Sequence, residues 1–300
     1  MEKIQAALEK ARLARNAGPV AAPVIPVAIP VRAPNPVAAP AVVPVVESPD
    51  PALAWAALPP CEPDPKRLLR HRIVAFASGL QSVPFDMLRT KVIQQMRAHG
   101  WKRLAITSPT PACGKSTIAL NLALSLARQS ETRTILAEID LRRPTLGAVL
   151  GLQGSKRKAA KGRAPVPDRP GFAEVLAGRA DFADVALRHG AGLAFAVNDG
   201  PVRGPAELLH GSAVAPALAA IEARYASDLM LFDMPPMLVS DDVMAFLTHV
   251  DAVLLVAGAE TTTISQIDAC ERELAAQTNV MGVVLNKCNY MGPEPGYSYS

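Results

Sequence analysis

From about residue 70 the chain alternates short, continuous apolar runs with stretches of helical character, and this alternation restricts the fold more than any other feature. The runs are Leu104–Thr107, Arg133–Glu138, Leu193–Val197, Leu229–Phe232, Ala252–Ala257 and Met281–Leu285. A strand wetted on one face alternates apolar with polar residues. These do not, so both their faces must be covered. Helical stretches fall between them at Ser116–Arg128, at Pro205–Leu209 with an extension to Tyr225, and at Ser265–Gln277. Strand and helix in alternation predict an α/β fold, a doubly wound and mainly parallel sheet with helices on both faces.

What precedes the sheet cannot share its core. Residues 17–66 hold 14 of the 28 prolines, interleaved with Ala and Val, which predicts an extended, disordered linker of polyproline character. Ahead of it, residues 1–16 have high helix propensity, with Ile4, Leu8 and Ala11 at helical spacing. A helix that short is marginal alone, so a partner surface is expected for it. The proline-broken apolar stretch is a poor membrane helix, and the N-terminus lacks the plan of a signal peptide. Cys61, Cys113, Cys270 and Cys288 show no metal-ligand spacing and suit a reducing cytoplasm. Lys156, Arg157, Lys158, Lys161, Arg163 and Arg169 crowd one segment with the single acid Asp168, and without it 25 basic residues face 26 acidic ones. A nucleic-acid reader spreads its basic residues over a docking face, so nucleic acid is not an expected partner. Residues 154–170 are instead expected to form a basic insertion loop in a domain spanning 70–289.

The chemistry is concentrated at Ser108-Pro-Thr-Pro-Ala-Cys-Gly-Lys-Ser-Thr117, between the strand Leu104–Thr107 and the helix Ser116–Arg128. A G-K-[ST] ending in that setting is a phosphate loop, in which backbone N–H groups and a helix N-terminus meet the charge of a nucleoside triphosphate. Pro111, Ala112, Cys113, Gly114, Lys115, Ser116 and Thr117 are the expected nucleotide-binding residues, with Pro109 in the place of the motif's first glycine. Lys115 is expected at the β and γ phosphates and the Ser116 hydroxyl on magnesium, so ATP and Mg2+ are the expected cofactors. Magnesium also needs carboxylates from neighbouring strand ends. Candidates are Asp233, in Asp233-Met-Pro-Pro236, and the pair Glu138 and Asp140, in Glu138-Ile-Asp-Leu-Arg-Arg-Pro144.

These three strings, in this order, resemble the bacterial tyrosine kinases of capsule and exopolysaccharide biosynthesis, phosphate-loop proteins of the class that includes the partitioning and division-site ATPases. Phe85-Asp-Met-Leu-Arg-Thr90, Gly204-Pro-Ala-Glu-Leu-Leu209, Asp242 and Gly282-Val-Val-Leu-Asn-Lys287 extend the resemblance over roughly residues 70–290. It implies that Asp140 and Asp233 hold magnesium, that Glu138 helps deprotonate the acceptor tyrosine, and that Asn286 lies near the adenine. It also implies a membrane-embedded chain-length regulator as partner, self-association, and a cytoplasmic protein held at the inner face of the plasma membrane through that partner. Three of the four tyrosines, Tyr290, Tyr297 and Tyr299, fall in the last eleven residues among Gly, Pro and Ser, which predicts a flexible phosphoacceptor tail over 290–300.

Three readings follow. The first is an ATP-dependent protein-tyrosine autokinase governing polysaccharide polymerisation and export. The second is a nucleotide-switched regulatory ATPase of the same pathway without kinase activity. Two departures favour it: Glu138 stands where the family has aspartate, and the family's ring-forming E-x-x-R-x-x-R falls on Val83, Asp86 and Arg89, keeping only the last arginine. The third, a partitioning ATPase, calls for a second lysine at the start of the loop, where this chain has Thr110.

Overall fold

The structure, a computed structural model, describes residues 50–129, 131–152 and 169–288. The expected N-terminal helix, most of the linker, most of the basic loop and the tyrosine tail lie outside these residues. Seven strands form one sheet: β1 (Arg103–Ser108), β2 (Thr134–Glu138), β3 (Leu187–His189), β4 (Leu193–Ala196), β5 (Leu229–Pro236), β6 (Ala252–Gly258) and β7 (Asn279–Asn286). Their order is β3-β4-β2-β5-β1-β6-β7, parallel throughout except for β3 against β4.

Apolar side chains leave both faces of the central strands, as the unbroken runs require. In β1, Leu104 and Ile106 enter one core layer and Ala105 the other; in β2, Leu136 opposes Ile135 and Ala137. One layer is closed by the helix Lys115–Ala127, buried nearly all round, with Val83–His99 packed outside it. A helix apolar on every side is stable only in such a sandwiched position. The other layer is closed by helices that include Phe172–Leu176, Val214–Tyr225 and Ile264–Ala275. The helix expected to run from Pro205 to Tyr225 is two, because the chain turns at Gly211, where a Cβ would stand 2.8 Å from the Leu208 carbonyl oxygen.

The fold reaches further toward the N-terminus than composition suggested. Residues 51–66, expected as linker, carry the helix Pro51–Ala57, capped by Asp50, and the start of Pro65–Arg70, capped by Asp64. Trp55 is buried, and its indole Nε1 donates to the Tyr225 carbonyl at 2.6 Å. Past it the chain pairs with the outer edge of β3: Cys61 N donates to Arg188 O at 2.7 Å, and Arg188 N to Pro59 O at 2.8 Å. This strap ends on the buried Asn121, whose Oδ1 accepts from Val74 N at 2.8 Å and Ala75 N at 3.0 Å, while its Nδ2 donates to Thr117 O at 2.9 Å.

Asp86 and Arg89, at two positions of the ring motif, are turned inward. Asp86 accepts from Arg128 at 2.6 Å, Ser125 at 2.5 Å, Arg89 at 3.1 Å and Ser82 at 3.2 Å. Burial pushes this carboxyl up, but the hydrogen bonds of Arg128, Ser125 and Ser82 and the charge of Arg128 bring it down to about 2. The network clamps the helix Val83–His99 onto Lys115–Ala127.

Candidate functional site

The phosphate loop leaves β1 at Ser108 and turns into the helix Lys115–Ala127 at Gly114, whose φ of 95° is in the left-handed region that favours glycine. A Cβ at Gly114 would also collide with the Asn286 side chain. Asn286, at the end of β7, donates from Nδ2 to Cys113 O at 2.9 Å and so holds the loop from the far side. From the other flank, Met237 N and Leu238 N donate to the carbonyls of Ser108 and Pro109 at 2.8 and 3.0 Å. Proline in the first glycine's place is compatible with this anchoring, because only its carbonyl is used. Cys113 is buried beneath the loop; burial pushes its thiol up, and the hydrogen bonds of Thr110 and Thr262 outweigh this and lower it.

Lys115, Asp140 and Asp233 meet toward the carboxyl edge of β1, β2 and β5, the side on which open α/β sheets bind ligands; β5 runs three residues beyond Asp233, to Pro236. Lys115 Nζ donates to Asp140 Oδ2 at 2.8 Å, and Arg143 N donates to Asp140 Oδ1 at 3.0 Å. The Asp233 carbonyl accepts from Ile139 N and Asp140 N at 2.9 and 3.0 Å, so the two acid-bearing loops are fixed to each other. Burial pulls the Lys115 ammonium down, but the charges of Asp233 and Asp140 outweigh it and raise its pKa. Asp233 is fully buried, and burial pushes its carboxyl up against the opposing pull of Lys115 and of the Ser116 hydroxyl beside it. Neither of its oxygens makes a hydrogen bond of acceptable geometry among the described residues. An orphaned carboxylate beside a second one and a serine hydroxyl fits a hard divalent cation, for which Ser116, Asp140 and Asp233 are the candidate ligands.

Glu138 does not join them. Its carboxylate is fully buried and accepts from Thr145 N at 2.5 Å and Leu146 N at 2.7 Å through Oε1, and from Asn198 N at 2.9 Å through Oε2. Burial raises its pKa to about 7, against those hydrogen bonds. The carboxylate thus reaches past the strand end to the backbone of the following loop. Like Asp233 it is absent from the cavity wall, and its charge still bears on Lys115 and Asp233.

The cavity itself measures ≈ 630 Å³ and runs from Pro111, Ala112 and the Gly114–Thr117 turn past Asp140 to Arg142, Arg143, Pro235, Ser240 and Lys287. Lys287 was legible only as the second residue of the N-K pair; its φ of 62° turns the chain at the cavity rim. Arg142 forks onto Asp242, with Nε to Oδ2 at 2.6 Å and Nη2 to Oδ1 at 2.9 Å. A second opening of ≈ 700 Å³, between Val83–His99 and β7, is apolar and has no acidic residue in its wall. Tyr225 is a core residue, edge-on to Trp55 and Phe182. Tyr290, Tyr297 and Tyr299 lie outside the described residues.

A loop of this kind on a doubly wound, mainly parallel sheet defines a phosphate-loop nucleotide-binding protein. Within that class the chain is a relative of the bacterial tyrosine-protein kinases. It is 30% identical over 201 residues to EpsB of Ralstonia nicotianae, which carries a tyrosine-protein kinase name, an alignment covering 66% of this chain and 24% of EpsB. It is 27% identical over 222 residues to the tyrosine-protein kinase YwqD of Bacillus subtilis, covering 73% and 86% of the two chains. The VpsO kinase domain superposes with a TM-score of 0.57 at 29% identity, over 70% of this chain and 97% of that one. The chain thus spans about a quarter of the length of EpsB. No protein-family model matches it.

Proposed function

We propose that this chain binds ATP with magnesium in the cavity beside Lys115 and transfers the terminal phosphoryl group to protein tyrosine. The observation that carries the reading is the meeting of Lys115, Asp140 and the orphaned Asp233 behind a phosphate loop, in a chain whose relatives are tyrosine kinases. Magnesium, held by Ser116, Asp140 and Asp233, would neutralise phosphate charge. Phosphoryl transfer asks the protein mainly for positioning and electrostatics, which Lys115 and the backbone N–H groups of the loop supply. A loose transition state makes modest demands on a base, so a Glu138 held by backbone N–H groups is compatible with transfer. Tyr225 is buried, so acceptors are Tyr290, Tyr297 and Tyr299 or tyrosines of another protein.

The pathway is polysaccharide polymerisation and export, and the partner a membrane-embedded chain-length regulator. Among the described residues no helix is long and apolar enough to cross a membrane, and in this reading the partner holds the chain there. Incubation with labelled ATP, with the membrane partner present, should yield phosphotyrosine in the wild type and none in Lys115→Ala. A wild type without phosphotyrosine refutes the kinase reading. The engagement of Glu138 by backbone favours a second reading, a nucleotide-switched regulatory ATPase. Polysaccharide output that survives removal of the three tail tyrosines but not Lys115→Ala selects it.

A further inference from the structure

In the wall of the cavity that holds the phosphate loop, one cation is held at two points. Arg142 is half exposed to the cavity, yet its guanidinium is gripped from behind by Asp242, a carboxylate only 1% exposed. Both oxygens of that carboxylate are used, at 2.6 and 2.9 Å, and Ser240 Oγ donates to Oδ2 at 3.1 Å, fixing the carboxylate in turn. A two-point fork of this kind sets the plane of the guanidinium as well as its position, which a point charge cannot do. The fork occupies Nε and Nη2; Nη1 has no hydrogen-bond partner among the described residues. Arg143, next in the chain, lines the same cavity without a side-chain partner among the described residues.

The arrangement has a direction. Ser116 and Thr117 occupy the loop side of the cavity, and Lys115 reaches across to Asp140, two residues before Arg142. A triphosphate laid along the loop with its last phosphates at Lys115 points its terminal end toward Asp140 and so toward the wall that carries Arg142. We infer that Asp242 is a positioning residue that fixes Arg142 so that its free Nη1 edge meets the terminal phosphate, which lets the site tell a nucleoside triphosphate from a diphosphate. The inference rests on the reading of the cavity as a triphosphate site. Asp242 touches no nucleotide in this account and acts only through Arg142.

The test is equilibrium binding of magnesium-ATPγS and magnesium-ADP to the full chain, in the wild type, Arg142→Ala, Asp242→Asn and the double variant. Both single variants should lose about tenfold in ATPγS affinity, the scale of one charge-assisted hydrogen bond, with ADP affinity unchanged within about twofold. The double variant should bind ATPγS no more weakly than Arg142→Ala, because Asp242 then has nothing left to position. Asp242→Glu, which keeps a carboxylate for the fork, should recover part of the preference. Equal losses for both nucleotides in Asp242→Asn, or losses that multiply in the double variant, would overturn the inference and leave Asp242 a purely structural residue. If Asp242→Asn does not fold, Arg142→Lys decides: lysine keeps the charge but cannot be forked, so it should bind ATPγS as poorly as Arg142→Ala, and wild-type binding overturns the idea. A wild type that binds neither nucleotide refutes the functional reading itself, whereas equal discrimination in all forms refutes this inference alone.

Discussion

Replacing Glu138 with the aspartate that the motif resemblance leads one to expect there should harm this protein. In Glu138→Asp the carboxylate is one methylene shorter and withdraws from Thr145 N and Leu146 N, which it now accepts at 2.5 and 2.7 Å in a fully buried setting. Each buried N–H left without an acceptor costs about 1–3 kcal/mol, and two neighbours sharing one oxygen do not add fully, so a loss of roughly 2–4 kcal/mol is expected. For a domain of this size that lowers the melting temperature by roughly 5–12 °C. Glu138→Gln should be milder, because one amide oxygen can still serve two N–H groups while its NH2 meets the Asn198 N–H at 2.9 Å as donor against donor. Thermal and urea unfolding of the three forms would show midpoints ordered wild type, Gln, Asp, with unchanged slope in urea. An aspartate variant that melts within about 1 °C of the wild type and phosphorylates tyrosine faster would refute the reasoning, since its carboxylate would then be facing the acceptor.

Three further outcomes follow from the geometry. Asp86 has its folded pKa lowered to about 2, so its contribution to stability is complete above its ordinary value near 4 and is lost as pH falls through 2. The stability advantage of wild type over Asp86→Asn, measured by urea unfolding, should therefore shrink steadily from pH 5 to pH 2. Gly114→Ala adds a Cβ against the Asn286 side chain at a left-handed φ, and should abolish nucleotide binding in a fluorescent-ADP titration while leaving the far-ultraviolet circular dichroism unchanged. Trp55→Ala removes a buried indole and its bond to Tyr225 O, and should cost about 3–5 kcal/mol in unfolding free energy, although position 55 falls in a stretch that reads as linker.

Much of this was legible because the determinants are local. Six of the seven strands follow from continuous apolar runs, and the phosphate loop from eight consecutive residues between strand and helix; of the six, β7 departs from the expected cover on both faces, being an edge strand with Val283 and Leu285 exposed. β3 escaped because Leu187-Arg-His189 is a three-residue edge strand, half wet, whose pairing is set by β4 and the strap rather than by its own pattern. The strap escaped for the opposite reason: prolines at helix starts and in extended pairing look the same, in composition, as prolines in a tether. The nearness of Asp140 and Asp233 to the loop could be anticipated from their place after apolar runs, but the direction of the Glu138 carboxylate could not. Which way a buried acid turns depends on which N–H groups the next loop leaves unpaired, and that loop belongs to the tertiary structure. The inward turn of Asp86 depends in the same way on Ser125 and Arg128, some 40 residues away.

The strap over β3 leaves the sheet with two unlike borders. On that side the outward N–H and C=O of Arg188 are already taken by Pro59 and Cys61. On the other side β7 is paired only to β6 among the described residues, and its eight residues include no charge and no proline that would discourage a further strand. A sheet terminated at one end and open at the other can be extended in one direction only. Two copies joined through β7 would present nothing but strapped borders, so strand addition would stop at a pair and could not propagate into a fibre.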